Sequence, residues 1–216
     1  MIETAEEAHD YDAMDHSEVN RIFVSDFLEE WDERNPILDV GAGTAQIPIE
    51  LCLRRSTARV TAIDLAEEML RVGRANVERA GLTERIQLER RDAKALPYSA
   101  GSFAAVISNS IVHHIPEPAA VLAEMVRVTA SGGVLFVRDL LRPSDEKTLQ
   151  RLVKLYASDA NAHQRKMFRD SLQAALTLDE VRSLVAALGF DPATVHQTTD
   201  RHWTWTARAS SAASEK

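Results

Sequence analysis

The chain has 216 residues, of which 45% are hydrophobic and 27% are charged, a balance typical of one folded domain and not of a disordered chain. Its 25 basic and 33 acidic residues give a net charge of −8, which predicts no general attraction to nucleic acid or to an anionic membrane surface. A single cysteine, Cys52, excludes an intramolecular disulfide and a cysteine-ligated zinc site, and no bound metal is expected.

No run of about 18 apolar residues occurs in the sequence, which predicts no membrane span. The segment Met1–Glu7 is acidic and lacks the basic and apolar regions of a secretory signal. We therefore expect a cytoplasmic protein without a nucleic-acid or membrane partner. A monomer and a homodimer both remain open.

Hydrophobic periodicity and turn residues predict alternating strands and helices over the first two thirds of the chain. Ser17 suits a helix N-cap, and Asn35-Pro36 ends the helix that follows. From there strands and helices follow one another with short connections. The predicted strands are 37–40, 58–63, 86–89, 103–108 and 134–137, and the predicted helices are 44–54, 66–80 and 117–128.

The last third of the chain departs from this alternation. Residues 144–176 read as a long helical stretch, with a break near Asp159–Asn161, and a further helix covers 179–188. Two short strands, 194–197 and 203–207, predict an antiparallel hairpin at one edge of the sheet. The whole pattern predicts an α/β fold: a doubly wound, Rossmann-like sheet with helices on both faces and a helical cap.

The predicted domain organisation follows from these elements. Residues 1–35 form an N-terminal lid segment and helix, and residues 36–208 form the main domain, with the helical cap inserted at about 144–176. The small, polar residues 209–216 form a flexible tail.

Residues 37–48 are an apolar strand, two glycines and the start of a helix. Glycine permits a tight turn and close approach of a ligand, and the new helix offers unpaired N–H groups. A dinucleotide site would need a third glycine where Gln46 stands, and a phosphate-binding loop would need Gly-Lys-Ser or Gly-Lys-Thr. S-adenosylmethionine has no pyrophosphate, and its ammonium group suits the carboxylate of Asp39.

With Asp39-Val40-Gly41-Ala42-Gly43-Thr44-Ala45, the chain resembles a class I S-adenosylmethionine-dependent methyltransferase. Ala45 takes the place of the family's third glycine. The motifs are most similar to those of small-molecule enzymes of the ubiquinone/menaquinone-biosynthesis group. The resemblance covers Ile37 to about Asp139 and extends more loosely to Ala207. It implies S-adenosyl-L-methionine as cofactor, bound against Gly41 and Gly43, and the strand order 3-2-1-4-5-7-6 with strand 7 antiparallel.

Acids also stand at the ends of the next two strands. Asp64 follows Asp39 by 25 residues, and the resemblance implies that its carboxylate accepts the ribose hydroxyls while Leu65 packs on adenine. It further implies that Asp92 and the N–H group of Ala93 bind the edge of adenine. The alternative is that each acid only caps the helix that follows it.

The fourth strand leads into Asn109-Ser110 and then His113-His114. Ligands of a doubly wound sheet bind beyond the carboxyl ends of the strands, so Asn109, Ser110 and one of His113 or His114 are expected near the methyl group, the first two as cofactor contacts. His113, Asp139 and His16 are the catalytic candidates, and His114 is a candidate substrate contact. A role in orienting substrate or in capping a helix is the alternative.

Asn109-Ser110-Ile111-Val112 differs from the Asn/Asp-Pro-Pro-aromatic motif of nucleobase amino-methyltransferases, so nucleic acid is disfavoured as a substrate. In this family's fold the N-terminal segment often covers the cofactor. Tyr11 would then reach the methionyl carboxylate, and Met14 would line the sulfonium. The alternative is an acidic leader with one aromatic anchor.

The segment from Arg138 to Arg169 carries eight bases and four acids, although the chain as a whole is acidic. Arg138, Arg142 and Arg169 are therefore candidate contacts to an anionic substrate, such as a carboxylate or phosphate. Solvated helix faces, and an ion pair of Arg138 with an Asp, are the alternatives.

The sequence thus favours an S-adenosylmethionine-dependent methyltransferase acting on a small, possibly anionic metabolite. An NAD-dependent oxidoreductase and a non-catalytic S-adenosylmethionine-binding protein are the competing hypotheses. The sequence leaves the substrate and the methylated atom open.

Overall fold

The computed structural model describes residues 4–13, 16–158 and 160–210. Within them a seven-stranded sheet has the order β3-β2-β1-β4-β5-β7-β6, which is the predicted order, and β7 runs antiparallel to β5 as predicted. The strands are β1 (Ile37–Val40), β2 (Val60–Asp64), β3 (Ile86–Arg90), β4 (Phe103–Asn109), β5 (Thr129–Leu140), β6 (Val195–Gln197) and β7 (His202–Arg208).

Helices cover both faces of this sheet. They are α1 (Ala5–Ala13), α2 (Ser17–Glu30), α3 (Gln46–Arg54), α4 (Glu67–Arg79), α5 (Pro118–Val128), α6 (Glu146–Tyr156), α7 (Ala162–Ala174) and α8 (Leu178–Ala187). One core cluster joins α2, α3 and α4 to the sheet, and a second joins α5 and α8 to the other face. Because successive strand residues point to opposite faces, each central strand supplies apolar side chains to both clusters.

The strand order reverses between β1 and β4, which lie side by side at the centre of the sheet. Asp39 of β1 is level with Ala62 of β2 on one side and Ile107 of β4 on the other. The connections that leave β1 and β4 therefore diverge to opposite faces and open a crevice at the carboxyl end of the sheet.

The structure differs from the predicted elements most clearly in three places. Helix α3 begins at Gln46 and not at Thr44, because Ala45 has a left-handed backbone with a φ of 64°. Strand β5 begins at Thr129, five residues before the predicted strand, and pairs with β4 through a register shift. Helix α1, at the N-terminus, has no counterpart among the predicted helices.

Helices α6 and α7 form a pair outside the sheet, with their own apolar cluster. Leu149 and Leu152 of α6 and Leu172 of α7 pack on Leu140, the last residue of β5. Helix α7 also contacts the short 3-10 helix Val112–His114. The pair therefore lies against the segment that carries the two adjacent histidines.

Helix α1 lies on α4, where Ala8 packs with Met69 and Val72. Among the described residues, none of the helices is both long enough and apolar enough to cross a membrane.

Candidate active site

The chain turns sharply between β1 and α3. Gly41, Gly43 and Ala45 all have positive φ angles, of 81°, 55° and 64°. A Cβ atom on Gly41 would lie 2.0 Å from Cγ2 of Ile111, so glycine is required there for space as well as for conformation. Ala45 holds its left-handed conformation with a fully buried side chain. The turn is therefore strained at the one position where the family motif has glycine and this chain has alanine.

Asp39 lies beside this turn, and one oxygen of its carboxyl group has no hydrogen-bond partner among the described residues. The residue is 1% exposed, and no hydrogen-bond partner for its Oδ2 occurs in the described part of the chain. Burial, and next the carboxylate of Asp64, raise the pKa of Asp39 to about 8. Burying a carboxylate without a donor is costly, so this position fits a cationic group such as an ammonium.

Asp64, at the end of β2, faces the turn. Its Oδ2 accepts the N–H group of Gly43 and its Oδ1 that of Ala66, each at 2.9 Å. Burial raises the pKa of Asp64, although these two bonds oppose the shift. The carboxylate therefore caps the next turn and still has lone pairs for further donors. Leu65, which follows, is 39% exposed.

Asp92 follows β3 at the same edge of the sheet. Its Oδ1 accepts the N–H group of Lys94 at 2.9 Å, and 44% of its side chain is exposed. Ala93 is partly buried against the apolar cluster beneath α5. The turn-capping interpretation thus describes Asp92 in this structure, and the carboxylate remains accessible to a ligand.

Tyr11 of α1 lies over the glycine turn. A Cβ atom on Gly43 would lie 4.0 Å from Cε1 of Tyr11. Burial, and next the charges of Asp64 and Asp12, raise the pKa of the Tyr11 phenol. The His16 ring is 4.9 Å from the Tyr11 ring, centroid to centroid. Met14 lies outside the described residues.

His113 and Asp139 form a buried pair at the carboxyl ends of β4 and β5. Nδ1 of His113 is 2.5 Å from Oδ1 of Asp139, and the two side chains are 4% and 1% exposed. Asp139 also accepts backbone N–H groups, from Val112 at 2.5 Å and from Leu140 at 2.5 Å. Because a carboxylate accepts at Nδ1, the imidazole carries its hydrogen there and presents Nε2 as an acceptor.

The residues around this pair hold it at the crevice. Ser110 has a positive φ of 59°, and its N–H group donates to the carbonyl of Arg138 at 2.9 Å. Oδ1 of Asn109 is buried and has no hydrogen-bond partner among residues 4–13, 16–158 and 160–210. The ring of His114, an exposed residue, is 3.9 Å from that of His113. Two side chains predicted to meet the cofactor thus lie next to the two histidines.

Arg138 does not lie where an anionic substrate could bind it. Its side chain is 4% exposed, with Nη2 donating to Asp26 at 2.6 Å and Nε donating to Thr204 at 2.8 Å. Neighbouring residues of a strand face opposite sides of the sheet, so Arg138 and Asp139 cannot both face one site. The alternative, an ion pair of Arg138 with an Asp, therefore describes this structure, which does not support the predicted substrate contact.

The other two predicted substrate arginines also have acidic partners. Arg142 donates to the carbonyl of Ala175 at 2.8 Å and pairs with Glu180 at 3.1 Å. Arg169 pairs with Glu146 at 2.8 Å, between α7 and α6. These bonds use the guanidinium groups to fasten α7 and α8, so they do not support the predicted anion contacts.

The structure adds a polar network that the sequence did not predict. Oδ1 of Asp12 accepts from Nε2 of Gln46 and from Nδ2 of Asn76, both at 2.9 Å. Gly73, one helical turn before Asn76, lets α4 approach the turn, since a Cβ atom there would lie 3.2 Å from the carbonyl carbon of Thr44. No local sequence pattern indicates this contact, because Asp12 and Asn76 are 64 residues apart.

Within the residues that the structure describes, no group of three or more His, Cys, Asp or Glu side chains could hold a metal ion.

Comparison with known proteins agrees with this geometry. Residues 38–137 match the family model of a methyltransferase domain. A demethylmenaquinone methyltransferase from Porphyromonas gingivalis is 28% identical over 166 residues, which cover 71% of this chain and 67% of that protein. A malonyl-(acyl-carrier protein) O-methyltransferase from Geobacter sulfurreducens is 34% identical over 185 residues, which cover 85% and 66%.

A crystal structure of an S-adenosylmethionine-dependent methyltransferase from Aquifex aeolicus superposes with a TM-score of 0.68, covering 95% of this chain and 98% of that one. The two are 17% identical, so this likeness concerns the fold. The chain spans between 49% and 67% of the length of the first curated relatives it matches.

The sheet order and the glycine turn with its flanking acids define a Rossmann-like protein built to hold an adenosine cofactor. Residues 38–137 carry a methyltransferase domain, and the chain is similar to S-adenosylmethionine-dependent methyltransferases, including enzymes of the ubiquinone/menaquinone-biosynthesis group that are 24–28% identical to it. The cofactor of this family is S-adenosyl-L-methionine. The NAD-dependent alternative is set aside, since Gln46 stands where a dinucleotide fingerprint needs glycine.

Proposed function

We propose that this protein transfers the methyl group of S-adenosylmethionine to a small-molecule acceptor whose reacting atom loses a proton, with His113 as the general base. The observation that carries this proposal is the buried His113–Asp139 pair at the crevice of the sheet. The similarity to methyltransferases supports a methyl group as the group that is transferred. The His113–Asp139 pair supports an acceptor whose reacting atom loses a proton.

The cofactor site of this proposal is built from the residues around the glycine turn. Buried polar atoms without partners among the described residues, Oδ2 of Asp39 and Oδ1 of Asn109, fit a ligand that brings hydrogen-bond donors. When bound, the cofactor supplies a methyl group activated on a sulfonium. The residues proposed to hold it are Tyr11, Asp39, Gly41, Gly43, Asp64, Leu65, Asp92, Ala93, Asn109 and Ser110.

Within this site Asp39 binds the ammonium group, Asp64 accepts from the ribose hydroxyls, and Asp92 with Ala93 binds the adenine edge. These roles match the chemistry of the three carboxyl groups. Asp39 is the most buried of them and needs a positive partner, whereas Asp92 is half exposed and needs only a donor.

His113 and Asp139 act on the acceptor. Asp139 keeps the Nδ1 hydrogen in place and stabilises the imidazolium that forms when Nε2 takes a proton. With the cofactor bound, its sulfonium would supply the methyl group to the acceptor atom, and Nε2 of His113 would take the proton that the acceptor loses. The His16 ring is 4.9 Å from the Tyr11 ring, centroid to centroid, and His16 is the second candidate for a base.

The acceptor class follows from this chemistry. A hydroxyl group, or a ring carbon of a quinone-type molecule, must lose a proton on methylation, and the demethylmenaquinone methyltransferase relative is named for such a molecule. An anionic acceptor is less well supported, since Arg138, Arg142 and Arg169 are paired with Asp26, Glu180 and Glu146. We therefore propose an acceptor recognised by shape and by its acidic proton, with His114 as a contact.

A methyl-transfer screen with labelled S-adenosylmethionine and small-molecule extracts tests the proposal, followed by mass spectrometry of labelled products. We expect a labelled hydroxyl-bearing or quinone-type product and a loss of about 100-fold or more in kcat for His113→Ala. His196→Ala, at an exposed position of β6, is the matched control. Full activity of His113→Ala would show that His113 is not the general base. Cofactor binding without any labelled product would favour a non-catalytic binding protein.

A further inference from the structure

One carboxylate fastens the N-terminal helix to the cofactor turn. Oδ1 of Asp12 accepts from both Gln46 and Asn76, at 2.9 Å each. The same Nδ2 of Asn76 also approaches the carbonyl of Thr44 at 3.2 Å, and Oε1 of Gln46 accepts from Nδ2 of Asn20 at 3.1 Å. Asp12 therefore joins α1 to α3 and α4 directly, and to α2 and the turn through Gln46 and Asn76.

These contacts fall on the parts of the fold that face the cofactor. Gln46 is the first residue of α3, whose amino end follows the turn, and Thr44 is part of the turn. Tyr11, the residue before Asp12, lies over Gly43. A change at Asp12 is thus transmitted to the residues on both sides of the proposed methionyl end of the cofactor.

Helix α1 depends on such contacts. It has nine residues, of which Ala8 is buried, and a helix of that length is unstable by itself in water. Charged hydrogen bonds are the strongest contacts that can hold it. Asp12 also lines an open cleft of about 480 Å³, so water can compete for its carboxylate and the contact can open and close.

We infer that Asp12, with Gln46 and Asn76, is a latch that holds α1 as a lid over the cofactor turn and sets the rate at which the cofactor leaves. The inference rests on the proposed function, in which this turn binds S-adenosylmethionine. Asp12 is a positioning residue, since it acts through Tyr11 and the turn. Opening the latch exposes the turn and lets the cofactor exchange, and closing it buries the ligand beneath Tyr11.

The test is the dissociation rate of S-adenosylhomocysteine, measured by stopped-flow displacement in Asp12→Ala and in Asp10→Ala. Asp10 is an exposed acid on the same helix, so it controls for the loss of charge. We expect dissociation about tenfold faster or more in Asp12→Ala, an association rate that is equal or higher, and native rates in Asp10→Ala. Asn76→Ala should have the same effect, and the double variant should add little to it.

Equal dissociation rates in the native protein and in Asp12→Ala would overturn the latch. A purely structural role would instead lower the melting temperature of the ligand-free protein in proportion to the loss of affinity, which also overturns it. Hydrogen exchange of the amides of α1 in the ligand-free protein gives an independent reading, with faster exchange expected in Asp12→Ala than in Asp10→Ala. Native protein that binds no S-adenosylhomocysteine would contradict the proposed function, while this exchange difference would still test the latch.

Discussion

At the scale of single residues, the site is made of carboxyl groups that the fold buries or half buries at strand ends. Asp39 has an oxygen without a partner among the described residues, while both oxygens of Asp64 accept backbone N–H groups. The fold holds each of them at a cost, because a buried carboxyl group loses its hydration. In the proposed function the bound cofactor supplies the hydrogen-bond donors that replace the lost hydration. The same carboxyl groups therefore determine cofactor affinity and how it depends on pH.

The pKa of Asp39, at about 8 in the ligand-free protein, predicts pH-dependent binding. At pH 6 to 7 the group is protonated, whereas an ammonium ligand favours the carboxylate, so binding must expel a proton. S-adenosylhomocysteine affinity should therefore rise with pH from 6 to 8, by up to about tenfold per pH unit, and level off above 8. Calorimetry in buffers of different ionisation enthalpy would detect the released proton.

Asp39→Asn is the control for this effect, since it keeps the size of the side chain and removes the titrating group. Its affinity should vary little over the same pH range. Identical pH profiles in the native protein and in Asp39→Asn would show that another group titrates.

Replacement of Asp64 by alanine should weaken cofactor binding by about 1.5–3 kcal/mol, because the ribose hydroxyls lose a charged acceptor. Gly43 also loses the acceptor of its N–H group, which adds to the effect. Calorimetry of S-adenosylmethionine binding measures the change, and Glu84→Ala, at an exposed position away from the turn, is the control. Native affinity in Asp64→Ala would remove this residue from the site.

At the scale of elements, the alternation of strand β5 decides which of its charged residues can do chemistry. Asp139 faces the crevice and meets His113, whereas Arg138 faces α2 and meets Asp26. The guanidinium also lies 5.7 Å from the Phe23 ring centroid, so it packs within the apolar layer beneath α2. Arg138 therefore joins a helix to the sheet and takes no part in the proposed chemistry.

Arg138→Met should lower the free energy of unfolding by about 1–3 kcal/mol, since it leaves Asp26 and Thr204 without their partner while the apolar stem is kept. The partial exposure of Asp26, 37%, keeps the loss below that of a fully buried pair. Urea denaturation measures the change. Arg151→Met, with a half-exposed pair to Asp200, should lose less than about 0.5 kcal/mol.

A raised KM for the acceptor, with unchanged stability, would instead make Arg138 a substrate contact. That outcome would require the guanidinium to leave its pair with Asp26 when substrate binds.

At the scale of the whole molecule, two peripheral parts converge on the crevice of the sheet. Helix α1 covers the glycine turn from one side, and α7 contacts the segment Val112–His114 from the other. Four of the eight bases in the segment 138–169 form ion pairs that bridge elements, such as Arg142 with Glu180 and Arg151 with Asp200. These basic residues thus hold elements of the fold together. The buried pair at the crevice is His113 with Asp139.

Because the cofactor crevice is formed by the folded sheet, cofactor binding should stabilise the whole protein. S-adenosylhomocysteine at about 100 times its Kd should add about 2.7 kcal/mol of stability, which raises Tm by about 5–10 °C for a chain of this length. NAD at the same concentration should leave Tm unchanged. A shift with NAD and none with S-adenosylhomocysteine would contradict the proposed cofactor.

Local patterns were enough to predict the alternating elements, the glycine turn and the acids at the strand ends. Periodicity and turn chemistry depend on residues close in sequence, whose backbone sterics are settled before the chain packs. The family resemblance carried by those motifs then supplied the strand order, including the antiparallel β7. It did not predict the left-handed Ala45 or the start of α3 at Gln46, because alanine seldom adopts that backbone conformation.

The tertiary structure alone decided which of the predicted polar residues meet. His113 and Asp139 are 26 residues apart and form a pair, whereas Arg138 finds Asp26 across 112 residues. The contact of Asp12 with Asn76 spans 64 residues and had no signal strong enough to predict it. Such pairs depend on strand register and on the faces that the helices cover. Packing of the whole core fixes both, so no short segment of the sequence contains enough information to predict them.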